Sequence, residues 1–485
     1  MTTRQVLGHP LGIASIFLAE VGERFSYYGM RALLVLFLVD AVTRGGMGLD
    51  DRTATAIYGL YTASVYIVSL PGGWIADRLI GLQRAVLWGA TLIACGHLIL
   101  GFSGGSLAVF GLGLVVIVVG TGLQKPNIAA LVAEQYPEGG ARRDAGFTVF
   151  YMAINVGAFV GPLVTGWLAF RYGWEVGFIA AAVGMIAGVV WFAATRRWLG
   201  GAGASVAGRA PTTTLRVATL AGTAAVLLLV ALMVGGIVPV SAIALQGAAI
   251  YVLLALSLAY FVYLFAFAGL DTADRRRLVV VAVLFVGSSV FWSGFEQAGS
   301  SLNLFAERYT DRLVGAFEIP ASWFQSLNAW FIIVFAPVFS ALWVLLARRG
   351  RDPSTAWKFV LGLVGMGTGF LAMAAASRVV VGGELAAPTW LVLTYLLHTW
   401  GELCLSPIGM SATSQLVPKR FVGQSLGLWY ASLAFGNLIA SRIAGEFDTN
   451  DVASMPGQYL HIFWFGMIAA AVLVAVMPLV RRAQR

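Results

Sequence analysis

LGIASIFLAEVGERFSYYGMRALLVLFLVD, residues 11–40, is an apolar stretch of membrane-crossing length with charges in its middle. Glu20, Glu23, Arg24, Tyr27, Tyr28 and Arg31 recur at i, i+3, i+4, i+7, i+8 and i+11. At 3.6 residues per turn they share one helix face. A charge at mid-bilayer depth costs about 2.5–3.5 kcal/mol or more. Four charges on one stripe therefore predict that the stripe faces a polar or water-filled cavity. The competing reading is a packed interface in which opposite charges neutralise one another.

The rest of the 485 residues supports a membrane setting. Hydrophobic residues make up 59% and charged residues 11%, where soluble domains carry about 25% charged. The mean hydropathy is +0.85. Fourteen apolar runs fall near 12–40, 53–76, 84–103, 107–133, 145–169, 174–195, 217–236, 242–268, 278–306, 321–347, 356–377, 388–416, 423–443 and 459–480. With the N-terminus placed in the cytoplasm, 21 basic residues lie in inside loops and termini and 7 in outside loops, leaving Arg24, Arg31 and Lys125 in the membrane. That bias predicts an even number of crossings and both termini cytoplasmic. The net charge of +9 is then a consequence of topology at a lipid bilayer rather than a nucleic-acid signal. The first run is too long and too charged for a cleaved signal peptide. Cys95 and Cys404 lie in apolar segments and are expected to be buried free thiols, with no metal framework.

Residues 196–216, rich in Gly, Ala, Ser, Thr, Pro and Arg, read as a cytoplasmic linker. The next two runs contain no charge and read as a peripheral hairpin. Removing them leaves six helices on either side, the plan of a two-bundle transporter. The expected organisation is an N-terminal six-helix bundle over 1–195, linkers and inserted hairpin over 196–277, and a C-terminal six-helix bundle over 278–485.

GGWIADRLIG (72–81) closes the second run and resembles the Gly-Asp-Arg loop of the major facilitator superfamily. ERFSYYG (23–29), KPN (125–127), FYMAINVG (150–157), FWSGFEQAGSS (291–301) and GELCLSPIGMSATSQLVP (401–418) follow in order. Together they resemble the proton-coupled oligopeptide transporter family, a branch of the major facilitators, and the inserted hairpin resembles its prokaryotic members. The resemblance implies an all-α integral membrane protein with the major facilitator fold, two six-helix bundles and an inserted pair, in the inner membrane. Ala329 and Ala298 depart from the commoner Pro and Gln, and neither change removes an ionisable group. The second run has no His, so coupling through a His there is excluded.

A short peptide is a zwitterion of fixed backbone length, so a general peptide site needs cations at one end, a carboxylate at the other, and amides and phenols between. Arg31 and Lys125 supply the cations and Glu402 the carboxylate. Asn155 and Asn328 supply amides, and Tyr28, Tyr66, Trp292 and Trp429 are candidates for the walls. The resemblance implies these roles, with the peptide carboxylate near Arg31, Lys125 and Tyr28 and its ammonium near Glu402, Asn155 and Asn328. From position alone, Asn155 serves equally as an interhelical hydrogen-bond link, and Trp429 as packing. Pairing cation to acid across the halves gives Arg31 with Glu296 and Lys125 with Glu402, bridges that form and break as each face closes and opens. His398, one turn before Glu402, reads as a hydrogen-bonded core His rather than a proton relay.

These residues predict proton-driven import of di- and tripeptides by alternating access in one chain, with Glu20, Glu23, Arg24 and Glu296 handling the proton and no cofactor. The alternative is proton-coupled carriage of another small solute, such as nitrate or a drug-like compound. An intramembrane enzyme lacks a nucleophile–base pair or metal cluster to accompany Glu20 and Glu23. A channel would show repeated pore rings.

Overall fold

The computed structural model describes residues 5–6, 8–206, 212–418, 421–447 and 451–484, without side-chain detail at 215, 218, 414, 422, 423 and 479–484. Arg4, Arg209, Lys419, Arg420 and Arg485, counted in the charge bias, lie outside the described residues.

The described chain is almost wholly helical. Its α-helices are α1 (Gly12–Val39), α2 (Asp51–Ile67), α3 (Ser69–Ile75), α4 (Leu82–Gly101), α5 (Leu107–Glu134), α6 (Gly140–Tyr172), α7 (Trp174–Thr195), α8 (Thr213–Val234), α9 (Ala242–Ala266), α10 (Thr272–Phe295), α11 (Ser301–Tyr309), α12 (Ser326–Arg348), α13 (Thr355–Val381), α14 (Thr389–Leu416), α15 (Val422–Ala444) and α16 (Met455–Gln484). Among the described residues, α2 with α3 and α10 with α11 are broken continuations of single segments. The helices therefore match the fourteen apolar runs. Among the described residues, ten segments are long and apolar enough to cross a membrane. The four charges of α1 set it apart from them. Two small antiparallel hairpins, β1–β2 (Gln5–Val6 with His9–Pro10) and β3–β4 (Leu313–Val314 with Phe317–Glu318), lie in loops.

The chain forms two compact units. One comprises 1–49 and 64–241, the other 50–63 and 242–485. The boundary at 63–64 falls inside α2, so that helix contributes to both. The boundary at 241–242 falls between α8 and α9, so the inserted pair also divides, one arm to each unit.

In the first unit, α1 is gripped by small residues. A Cβ added at Gly157 of α6 would lie 2.6 Å from the Arg24 Cβ and 2.6 Å from the Val21 carbonyl oxygen. A Cβ at Gly22 would lie 2.9 Å from the Gly184 carbonyl of α7. Without a hydrophobic driving force in lipid, such close approach carries the packing. Toward the N-terminal end of α1, Ile13 and Ile16 are buried with Leu82, Val86, Leu131, Phe192 and Leu199. The linker after α7 is tied down as well. Gln83 Nε2 donates to the Ala202 carbonyl at 2.7 Å, and the Gly203 N–H donates to Glu134 Oε2 at 3.0 Å. Asp40 closes the other end of α1, accepting from Arg44 Nε at 2.6 Å and Trp174 Nε1 at 2.9 Å.

In the second unit, the start of α2 is anchored by a bidentate pair. Arg308 of α11 donates to Asp51 Oδ2 at 2.6 Å and Oδ1 at 2.8 Å. Just outside the bilayer, hydrogen bonds from Thr53 hold the Asp50 carboxyl below its usual range. The arm α9 is fixed to α15 by Gln246 Nε2 donating to Ser441 Oγ at 2.6 Å and Tyr260 OH donating to Gln424 Oε1 at 2.7 Å. The arm α8 meets α5 in the first unit, where Gly111 backs onto Val234.

One cysteine differs from expectation. Cys404 is buried, but Cys95 is exposed. It lies on a helix whose other faces pack against α5 and α7, and composition does not reveal which face of an apolar helix is outermost.

Candidate substrate and proton sites

The charge stripe of α1 is buried. Glu20, Glu23, Arg24 and Arg31 are between 0% and 6% exposed. Arg24 Nε lies 2.7 Å from Glu20 Oε1 and 2.8 Å from Glu23 Oε2. Two carboxylates thus share one guanidinium, and the formal charge of the group is −1. Glu20 Oε2 and Glu23 Oε1 have no hydrogen-bond partner among the described residues. An anionic carboxylate oxygen left so is costly in a low-dielectric site. Adding one proton to the group makes it neutral and gives one oxygen a donor. Arg24 fixes both acids at one depth.

One to two turns along, Arg31 Cζ lies 5.7 Å from the Tyr28 ring centroid, and Tyr28 meets Tyr27 edge to face. From α5, the Lys125 ammonium sits 3.9 Å from the Tyr66 ring centroid. Both partners are half-buried, and a cation–π contact in such a setting contributes about 1 kcal/mol. Lys125 is also within electrostatic reach of Glu23, so the first unit brings Glu20, Glu23, Arg24 and Lys125 into one field. Asn155 is buried and donates to the Tyr151 carbonyl of its own helix at 2.9 Å.

The second unit holds a matching acid. Asn328 Nδ2 donates to Glu402 Oε2 at 2.9 Å and to Thr399 Oγ1 at 3.1 Å. A short charge-assisted bond orients the carboxylate. Thr399, one turn before Glu402 on α14, was not singled out from the sequence; its i, i+3 spacing is the signal that could have found it. Glu296 is 3% exposed and opens the 3-10 turn Glu296–Gly299 that separates α10 from α11. Trp292 is buried, and its Nε1 has no hydrogen-bond partner among the described residues. Trp429 is 3% exposed and packs against Phe359, with ring centroids 6.4 Å apart. His398 bonds through Nε2 to the Met366 carbonyl at 3.1 Å and lies between the Phe295 and Phe370 rings. It is a core histidine, as its surroundings predicted.

Within the described residues, no group of three or more His, Cys, Asp or Glu is arranged to hold a metal ion. The first unit thus assembles an acid–base triad and two cations with aromatic neighbours. The second assembles an amide-held carboxylate with buried indoles.

The chain is 42% identical over 494 aligned residues to a peptide transporter of Yersinia enterocolitica, covering 99% of this chain and 96% of that one. It is 33% identical to a di-/tripeptide transporter of Lactococcus lactis subsp. cremoris, covering 92% and 91%. A crystal structure of a peptide transporter POT in complex with sulfate matches with a TM-score of 0.92 at 37% identity, covering 99% and 97%. A POT family transporter in complex with 5-aminolevulinic acid matches with a TM-score of 0.89 at 30% identity, covering 99% and 98%. These matches establish the major facilitator architecture of a transporter rather than an enzyme. The model of the POT family matches residues 83–461, and with relatives this similar over nearly its whole length, the chain belongs to the POT family.

Proposed function

We propose that this protein imports di- and tripeptides across the inner membrane, driven by protons moving down their gradient. The observation that carries the reading is the pairing of a buried Glu20–Glu23–Arg24 triad with substrate cations on neighbouring turns of the same unit. Arg31 and Lys125, with Tyr28 and Tyr66, receive the peptide carboxylate. Glu402, oriented by Asn328, receives the ammonium, with Asn155 at the amide backbone and Trp292 and Trp429 as walls. The relatives' names and the zwitterionic ligand of one solved structure support a dipolar substrate.

The cycle is alternating access in a single chain with both termini cytoplasmic and the peptide between the bundles. Protonating the triad neutralises it and lets it be enclosed. Protonating Glu296 releases Arg31 from a cross-bundle bridge to meet the peptide. Lys125 and Glu402 form the second bridge. Proton loss to the cytoplasm restores both bridges and expels the peptide. The titration belongs to the coupled cluster rather than to one residue.

Uptake of labelled dialanine into liposomes tests this. With an inward proton gradient, the protein should concentrate dialanine above its external level. Glu20→Gln or Glu23→Gln should abolish the uphill accumulation while preserving measurable counterflow exchange. Fully concentrative uptake by either variant would sink the proton assignment. Inhibition by nitrate but not by unlabelled dialanine would sink the peptide assignment.

A further inference from the structure

Two acceptors hold the Asn328 amide from one side. Asn328 lies in the first turn of α12, and Thr399 and Glu402 stand three residues apart on one face of α14. Thr399 is 0% exposed, and its Oγ1 donates to the Tyr395 carbonyl at 2.7 Å. A hydroxyl has one proton and two lone pairs. With its proton committed to the backbone, Thr399 can only accept from Asn328, whose Nδ2 lies 3.1 Å away. An ionised Glu402 carboxylate also only accepts, and the same Nδ2 lies 2.9 Å from its Oε2. Both amide hydrogens are therefore used, and Oδ1 is the acceptor that the half-buried Asn328 has left to offer.

We infer that Thr399 is a positioning residue that locks the Asn328 amide, so that Glu402 meets an N–H and a substrate ammonium meets the amide oxygen. A reversed amide would set its oxygen against the Thr399 lone pairs. Glu402 alone could not enforce this. A carboxyl that gained a proton could donate to the amide oxygen and so accept the reversed form. Thr399 excludes that form in both states, unless its hydroxyl gives up a 2.7 Å bond in a site closed to water. The ammonium then meets a carboxylate and an oriented dipole together. An acylated N-terminus, uncharged and with a single N–H, gains little from either. The inference rests on reading Glu402 and Asn328 as the ammonium site, and it deepens that reading to selectivity for a free N-terminus.

Full-length protein in liposomes carrying Thr399→Val or Thr399→Ser tests the inference. Valine keeps the shape and removes the hydroxyl, whereas serine keeps the hydroxyl. Thr399→Val should raise the KM for dialanine about fivefold, the scale of one hydrogen bond, with a much smaller change in kcat. It should narrow the preference for dialanine over its N-acetyl derivative, read by competition, by a similar factor. The preference for dialanine over its C-terminal amide should stay, because other residues grip that end. Thr399→Ser should recover most of both losses. An unchanged N-acetyl preference in Thr399→Val would overturn the inference. So would an equal loss of preference at both peptide ends, or a Thr399→Ser variant as weak as Thr399→Val.

A second measurement does not need transport. In a double-mutant cycle on thermal midpoints in detergent, Thr399→Val and Asn328→Leu should each lower the midpoint, and the double variant should fall by less than the sum of the two. Fully additive losses would overturn the inference. If the unmodified protein takes up no dialanine, the peptide reading fails and this cycle still decides whether the hydroxyl holds the amide.

Discussion

Asp51 and Arg308 are joined by two parallel hydrogen bonds of 2.6 and 2.8 Å, with side chains 15% and 29% exposed. A bidentate, mostly buried pair at a helix N-terminus combines charge-assisted bonding with a favourable dipole. After allowance for its partial exposure, Asp51→Asn should cost about 1–2 kcal/mol. A fall in the thermal midpoint in detergent would report that cost. Exchanging the charges, Asp51→Arg with Arg308→Asp, should recover part of the loss but not the dipole contribution. No recovery at all would show that the pair is not the source of the stability. Neither residue is marked by its sequence context, because partners 257 positions apart leave no local signal. The charge stripe of α1 was legible for the opposite reason. All six of its members are local, and helical periodicity alone places them on one face. Asn328 and Glu402 were identifiable as polar residues in apolar runs, but their bond to one another depends on how α12 and α14 pack.

Among elements, α1 shows how an expensive helix is made tolerable. Its charged face is fixed because its other faces are pressed against glycines of α6 and α7. Gly157→Val should force α1 away from α6, since even a Cβ would lie 2.6 Å from the Val21 carbonyl and 2.8 Å from the Phe25 nitrogen. Overpacking of this kind costs about 1–3 kcal/mol. Gly222→Val on α8 meets open space and serves as the control. The expected result is a lower yield of monodisperse protein and a lower midpoint for Gly157→Val alone. Equal behaviour of the two variants would remove the glycine contact from the account. The fourteen apolar runs were readable from hydropathy, but the breaks at Val68 and at Glu296–Gly299 were not. The break at Val68 has a local cause, because Pro71 in the first turn of α3 cannot donate to the Ile67 carbonyl and its ring crowds it, whereas the break at Glu296–Gly299 contains no proline and is imposed by tertiary contacts. Tyr58 of α2, for example, lies directly against Gly299.

On the scale of the whole molecule, helix α2 is shared. Its first part, 50–63, belongs with 242–485, although it is translated nearly 200 residues earlier. Hydropathy cannot reveal this division, because the shared helix is one continuous apolar run. A chain cut between Val238 and Pro239, in the turn joining α8 to α9, should test it. The fragment 239–485 lacks the piece of α2 that completes its unit. It should be unstable alone in detergent and should co-purify as a stable species when 1–238 is expressed with it. Equal stability of 239–485 with and without its companion would argue that 50–63 is dispensable.

The inserted arms α8 and α9 dock on different units, and they come as a pair. An even insertion conserves parity: after α8 and α9 the chain returns to the side of the bilayer that it left at the end of α7. The last six segments therefore thread the membrane with the same handedness of in and out as they would without 213–266. A single added helix would turn that half upside down and carry its arginine-rich turns to the opposite face. An ancestral chain could thus have gained or lost this pair in one step without rewriting the orientation signals of anything downstream.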